Sequence, residues 1–300
     1  MTAAKERLTY SHIKTRLNCA MAEHYRYELE LVPRVQSHHL SLGSAVHKGL
    51  ETGSVDMALA IFDSVFPSTQ EEQDQLELDR ITCEAMLTGY HARYEPFSEY
   101  EAEIEFSVPV VNPRTQALSK RFVLAGKVDG LAKIDNEWWV CEYKTASRLD
   151  RAYIDRLALD TQITTYIYGL QRTRGIRIAG VLYRILKKPT IKQRQKESAA
   201  QFRDRLVEDY KERADFYYDE QRLYRSQADL CTFEAELWAF TQRLLAERRE
   251  GLHIRNTSQC TAYGGCPYIP LCLGDREAMN LYVTQAANNE LAKGDDENGG

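Results

Sequence analysis

The amino-acid sequence predicts an α/β (α+β) fold, a mixed sheet flanked by helices, and three observations predict it. Apolar residues recur at helical spacing along the segments before Tyr94. Between Tyr100 and Lys144 the period changes to two. Beyond Lys144 a helical run, an apolar strand run and a long charged helical region follow in turn. The order is helices, three strands, helix, strand, helices. It contains no internal repeat and no flexible linker, so residues 1–290 are expected to form one domain.

Tyr10 to Leu31 reads as the first helix, with Ser11 as N-cap, Ile13, Leu17 and Met21 on one face, and Pro33 as the stop. A second helix is expected from Leu42 to about Phe66, with Ala45, Val46 and Leu50 in the core and His47 beside them. The third runs from about Gln70 to Tyr94. In Tyr100–Val111, Ile104, Phe106 and Val108 alternate with Glu103, Glu105 and Ser107, the pattern of a half-buried strand. Asn112-Pro113 begins a turn. Arg121–Ile134 is a second strand with a bulge expected at Gly126. Asp135-Asn136 is the next turn and Glu137–Lys144 the third strand, which completes an antiparallel meander. Asp150–Thr173 reads as a helix, Arg177–Leu186 as a strand and Ser198–Arg249 as helical. A cysteine-rich loop and a short helix close the domain. Residues 291–300, which end in GDDENGG, read as an acidic disordered tail.

The 300 residues are 43% hydrophobic and 28% charged, the composition of an ordinary globular protein. No apolar run approaches the roughly 20 residues of a membrane span. The N-terminus carries no signal-like apolar run, so a cytoplasmic location is expected. The net charge of -5 does not announce a nucleic-acid binder. Its distribution says more: Arg184 to Lys196 holds six basic residues and no acidic one. Lys187, Lys188, Lys192, Arg194 and Lys196 are therefore candidates for gripping phosphates, against the alternative of a solubilising loop.

The chemistry concentrates in GKVDGLAKIDNEWWVCEYKTAS. Glu142 and Lys144 share one face of a strand, with Tyr143 opposite. Pairing across the Asp135-Asn136 turn can bring Asp129 level with Glu142. Trp138, Trp139, Val140 and Cys141 mark a buried strand, where unpaired charges are costly. Two carboxylates and an ammonium in one place suit metal-assisted phosphodiester hydrolysis. Hard oxygen ligands hold Mg²⁺ or Mn²⁺, and a lysine stabilises the anionic transition state. The backbone carbonyl of Tyr143, between the two functional side chains, is a further expected ligand. Glu103 and Glu105 are read as a solvated face.

An Asp followed about a dozen residues on by Glu-x-Lys resembles the PD-(D/E)XK nuclease superfamily, and more narrowly its RecB-type exonuclease branch. The resemblance implies a restriction-endonuclease-like core, metal binding by Asp129 and Glu142, and a catalytic role for Lys144. Val128 stands where the superfamily's name has Pro. In GSAVHKGLE, Gly43 and His47 fit the branch's Gly-x-x-x-His helix, which implies that His47 ligates metal. His12, His24, His38, His39, His91 and His253 are read as structural. In QITTY, Gln162 and Tyr166 match a Gln-x-x-x-Tyr helix, which implies that they face the active site.

The seven cysteines are odd in number, which argues against a disulfide framework. Cys260, Cys266 and Cys272 crowd into thirteen residues. Four thiolates suit either an iron–sulfur cluster or Zn²⁺. AddB-type nucleases and the CRISPR-associated adaptation nucleases hold a [4Fe–4S] cluster with one N-terminal and three C-terminal cysteines. That resemblance implies Cys19, Cys260, Cys266 and Cys272 as ligands of a cluster joining the two termini. Cys83, Cys141 and Cys231 are read as core residues. The resemblance spans Leu8 to Leu273 and implies a DNA exonuclease acting on single strands or duplex ends in phage or prophage recombination or repair. A recombination or single-strand-binding protein is a candidate companion. Two alternatives remain open: a CRISPR-adaptation-like nuclease acting in a complex, and a DNA-binding module without catalysis.

Overall fold

In the computed structural model, residues 5–34, 40–275, 277–288 and Leu291 are described. His38, His39 and the tail beyond Leu291 lie outside them. The chain starts with strand β1 (Glu6–Leu8), helix α1 (Tyr10–Asn18) and helix α2 (Ala20–Glu23), which runs into a π-helical turn, His24–Glu28. Strand β2 (Leu31–Pro33), helix α3 (Leu40–Thr52), helix α4 (Val55–Leu59) and the long helix α5 (Gln70–Arg93) follow. The sheet strands β3 (Tyr100–Val111), β4 (Leu118–Ile134) and β5 (Glu137–Ala146) come next, then helices α6 (Arg151–Leu157) and α7 (Thr161–Arg174) and strand β6 (Ile178–Lys187). The last part holds helices α8 (Ala199–Glu212) and α9 (Ala214–Tyr217), strand β7 (Tyr218–Leu223), helix α10 (Gln227–Glu250), helix α11 (Ile269–Cys272) and strand β8 (Tyr282–Thr284).

The expected mixed sheet flanked by helices is present. Its order is β1-β4-β5-β6-β7, with β3 on the other side of β4. β3, β4 and β5 form the antiparallel meander, β6 runs parallel to β5, and β1 runs parallel to β4. One core lies between the sheet and α7 and α10, around Phe106, Val128, Ile163 and Leu237. The other lies between the sheet and α3, α5 and α8, around Val46, Leu87, Tyr143 and Leu206. No helix among the described residues is long and apolar enough to cross a membrane.

Several expected boundaries are corrected. The first helix breaks at Cys19, which is extended at φ -161°, and its N-cap is Thr9, whose hydroxyl accepts the His12 amide; Leu17 is solvent-exposed. The second helix breaks at Gly53, where φ is +65°, a conformation that favours glycine. The helix expected at Asp150–Thr173 is two helices, because Asp160 caps a new one. Ser198–Arg249 is not helical throughout: β7 crosses it and pairs antiparallel with β6. Three short strands, β1, β2 and β8, lack a periodic signal because each holds only three residues.

No bulge occurs at Gly126, which pairs in register with Phe106; the irregularity lies between Pro109 and Val111. A Cβ on Gly126 would come within 2.6 Å of the Phe106 ring, and one on Gly169 of α7 within 2.3 Å. The two glycines let Phe106 fill the space between sheet and helix, so α7 lies close enough to serve the site.

Candidate active site

The sheet itself makes the opening for the site. On the β4 edge away from β3, β1 pairs with Phe122–Leu124 and β5 with Gly130–Ile134. Between those two ladders β4 has no partner on that edge among the described residues. Asp129 lies at the end of this notch. Val128 and Leu131, three residues apart, pack into the same core, so strand alternation breaks at Asp129.

Side chains fill the place of the missing ladder. The Tyr143 amide donates to Asp129 Oδ2 at 2.8 Å, and the Tyr100 hydroxyl donates to the Asp129 carbonyl at 3.2 Å. His47, on α3, puts Nδ1 3.3 Å from Asp129 Oδ1. Lys144 forms an ion pair with Glu142 Oε1. From α7, Gln162 Nε2 donates to the same Glu142 oxygen at 3.2 Å and to the Tyr166 hydroxyl at 2.7 Å. The structure thus brings together Asp129, Glu142, Lys144, His47, Gln162 and Tyr166. The Tyr143 side chain lies in the core on the opposite face.

The electrostatics are those of a crowded site built round one buried acid. Glu142 is 1% exposed, and its Oε2 is buried with no hydrogen-bond partner. Burial, then the charge of Asp129, pushes its carboxyl up to about 7. Burial pushes Asp129 up too, but the His47 hydrogen bond and charge, helped by Lys144, outweigh it and hold this acid below its ordinary value. Burial disfavours charge on His47 and Lys144, yet the two acids raise the pKa of both. An unsatisfied carboxylate oxygen is costly. The same pocket holds a second carboxylate and an imidazole, a donor set whose chemistry fits a hard divalent cation, although the ligand atoms of Asp129, Glu142 and His47 do not all lie within 4.8 Å of one another.

Sequence reasoning missed Asp160, Tyr10 and Tyr100. Asp160 caps α7 by accepting the Gln162 amide at 2.8 Å, and so sets the orientation of the helix. Its position before Thr161-Gln162 is a helix-start signal that could have found it. Tyr10 hydrogen-bonds Asp160, and its pKa is raised, first by burial and then by that acid. Tyr10 and Tyr100 carry no local signal, because strand and helix pairing distant in sequence delivers them.

Of the basic residues, Lys192, Arg194 and Lys196 are exposed, and Lys187 and Lys188 are half-buried. Their loop leaves beside the site: the Lys188 amide donates to the Ala146 carbonyl, two residues beyond Lys144, at 2.8 Å. Lys187 Nζ lies 3.5 Å from the Phe216 ring centroid. Arg184 does not belong to this surface. It is 7% exposed and bonded to Glu220 and to the Tyr90 hydroxyl.

Cys19, Cys260, Cys266 and Cys272 line one cavity of about 260 Å³ with Ala22, Tyr268 and Ile269. The extended break at Cys19 turns its thiol to this cavity, where Sγ accepts the Asn256 amide at 3.4 Å. Cys83 and Cys141 are buried as expected, whereas Cys231 is exposed and is not a core residue.

A family model for the PD-(D/E)XK nuclease superfamily matches residues 7–273. No curated protein sequence matches the chain. Among solved structures, a candidate exonuclease from Eubacterium rectale is similar at 13% identity and a TM-score of 0.48, over 96% of this chain and 94% of that one. The structure named SSO0001 is similar at 15% identity and a TM-score of 0.27, over 78% of this chain and 85% of that one.

Proposed function

Since the chain belongs to the PD-(D/E)XK nuclease superfamily, we propose that it is a metal-dependent DNA exonuclease of the RecB-type branch, serving phage or prophage recombination or repair. The observation that carries the catalytic part is the buried, unpartnered Glu142 Oε2 beside Asp129 at the notch in the sheet. Asp129, Glu142, His47 and the Tyr143 carbonyl would hold Mg²⁺ or Mn²⁺. Bound there, such an ion polarises a phosphoryl oxygen and makes water a better nucleophile.

The protein's own groups do the rest. The Tyr143 amide fixes the Asp129 carboxylate, and Gln162 fixes Glu142 with Tyr166 behind it. Lys144, one-third exposed at its side chain, carries its charge to the open side of the site. There it offsets charge on the phosphoryl group and orients the attacking water. Lys187, Lys188, Lys192, Arg194 and Lys196, which leave from the end of β6, grip the DNA backbone.

A [4Fe–4S] cluster held by Cys19, Cys260, Cys266 and Cys272 belongs to the same reading. Its support is the shared cavity. A tetrahedral zinc site, with Zn–S near about 2.3 Å, would hold its thiols within about 4 Å of one another. Among the described residues no three cysteine sulfurs lie within 4.8 Å of one another, which is wider than such a zinc site. The cluster would fasten the α1–α2 break to the C-terminal loop. Anaerobic purification should give a brown protein absorbing near about 400 nm. A colourless protein with stoichiometric zinc would refute the cluster.

The exonuclease assignment is tested with Mn²⁺ on end-labelled linear DNA and on closed circular DNA. Release of label from linear DNA with the circle intact is expected. Cutting of both at equal rates would replace it with an endonuclease.

A further inference from the structure

The histidines that sequence reasoning left as structural include a pair that the fold brings together. His24 opens the π-helical turn after α2, Glu28 closes it, and His253 lies just past the end of α10. The imidazoles of His24 and His253 stack at 3.8 Å between centroids, with 25° between their planes. His24 Nδ1 lies 3.2 Å from Glu28 Oε2, and His253 Nδ1 lies 3.9 Å from Glu28 Oε1. The three ligand atoms of this trio lie within 4.8 Å of one another, and no other such group of His, Cys, Asp or Glu occurs among the described residues.

We infer that His24, Glu28 and His253 bind a divalent transition-metal ion of the zinc class, at a site separate from the nuclease centre and from the cysteine cavity. Both Nδ1 atoms are buried and make no hydrogen bond. Neither hydrogen bond that would satisfy them is made, and both atoms face one carboxylate, that of Glu28. Two imidazoles and one carboxylate suit a borderline ion such as Zn²⁺ better than Mg²⁺ or Ca²⁺, which prefer oxygen. The backbone adds an independent reason. A single π turn is rare and tends to occur at functional sites. This one is closed by the Leu29 amide on the His24 carbonyl at 3.0 Å, with His24 and Glu28 at its two ends.

The charge of the surroundings permits an added cation. The Arg248 guanidinium meets Glu28 Oε1 at 3.0 Å, but it is shared with Glu6 at 2.8 Å and Glu23 at 2.9 Å. Arg16 pairs with Glu23 and Glu247, so four carboxylates, Glu6, Glu23, Glu28 and Glu247, face two guanidiniums. Glu28 Oε2 remains for the ion. The ion would tie the π turn to the segment after α10, beside but not within the Cys19 and Cys260 region.

Co²⁺ tests this, because its colour reports the ligands. Wild-type protein in excess Mg²⁺ is titrated with Co²⁺ beside Asp129→Asn, a His24→Ala/His253→Ala double variant and Glu28→Gln. One equivalent with ligand-field absorption, and without a thiolate-to-cobalt charge-transfer band, is expected in wild type and in Asp129→Asn. The double variant should lose it, and Glu28→Gln should weaken it by about tenfold or more, which keeps the test valid if the double variant does not fold. Unchanged binding in Glu28→Gln, loss in Asp129→Asn, or thiolate colour alone in wild type would overturn the site.

Discussion

At the scale of single residues, the site rests on one buried acid and the groups that pay for its charge. Glu142 is held by Lys144 and Gln162 and has one oxygen to spare. Replacing Lys144 with Ala should lower kcat by about 100-fold or more while DNA binding changes little, since its charge acts at the transition state. Single-turnover kinetics beside a binding titration separate the two. Asp129, Glu142 and Lys144 were legible because a carboxylate and Glu-x-Lys inside an apolar strand break the local pattern. His47, Gln162 and Tyr166 were legible only together with the motif. Tyr10 and Tyr100 were not legible, because nothing in their neighbourhoods marks which distant residue they meet. The burial of Arg184, which opens the basic run, was not legible for the same reason. A cation at the start of a basic run looks exposed, yet strand pairing buries it against Glu220 and Tyr90.

At the scale of elements, the position of α7 decides whether Gln162 reaches Glu142. Gly169 allows that approach, because any Cβ there meets Phe106 at 2.3 Å. Gly169→Ala should therefore destabilise the fold by about 1–3 kcal/mol despite the better helix propensity of Ala, as urea denaturation would measure. A second element contact is acid-sensitive. Glu23, at the end of α2, is fully buried and bonded to His12, Arg16 and Arg248 of α10. Burial pushes its carboxyl up, but His12 and Arg248 outweigh that and hold it at about 2, below the ordinary 4.5. A depressed acid stabilises the fold fully above its unfolded pKa, and loses that contribution as pH falls toward the folded value. Wild type should lose stability between about pH 5 and pH 2, and Glu23→Gln should be less stable at neutral pH with a flatter profile over that interval. The long strands and α5 were readable from their periods. The break at Cys19 was not, because a helical pattern continues in sequence across it, whereas the one at Asp160 carried only the helix-start signal of an Asp before Thr161.

At the scale of the molecule, a cleft in the sheet, a basic loop beside it and a cysteine-lined cavity share one chain. The strands that shape the cleft were only half legible. The β3-β4-β5 meander followed from turn residues and alternation, whereas β1, which bounds the notch, is too short to carry a period. Replacing Lys192, Arg194 and Lys196 with Ala should weaken DNA binding about equally for all sequences and flatten its salt dependence by up to about three ions. Fluorescence anisotropy over a salt series reads both. The central claim is that Asp129, Glu142 and Lys144 form a metal-dependent nuclease centre. The most direct measurement compares wild type, Asp129→Asn and Lys144→Ala on linear DNA with Mn²⁺ and with chelator. Cleavage by wild type alone, abolished by chelator, is the expected result. Equal cleavage by all three proteins, or cleavage that survives the chelator, would contradict it.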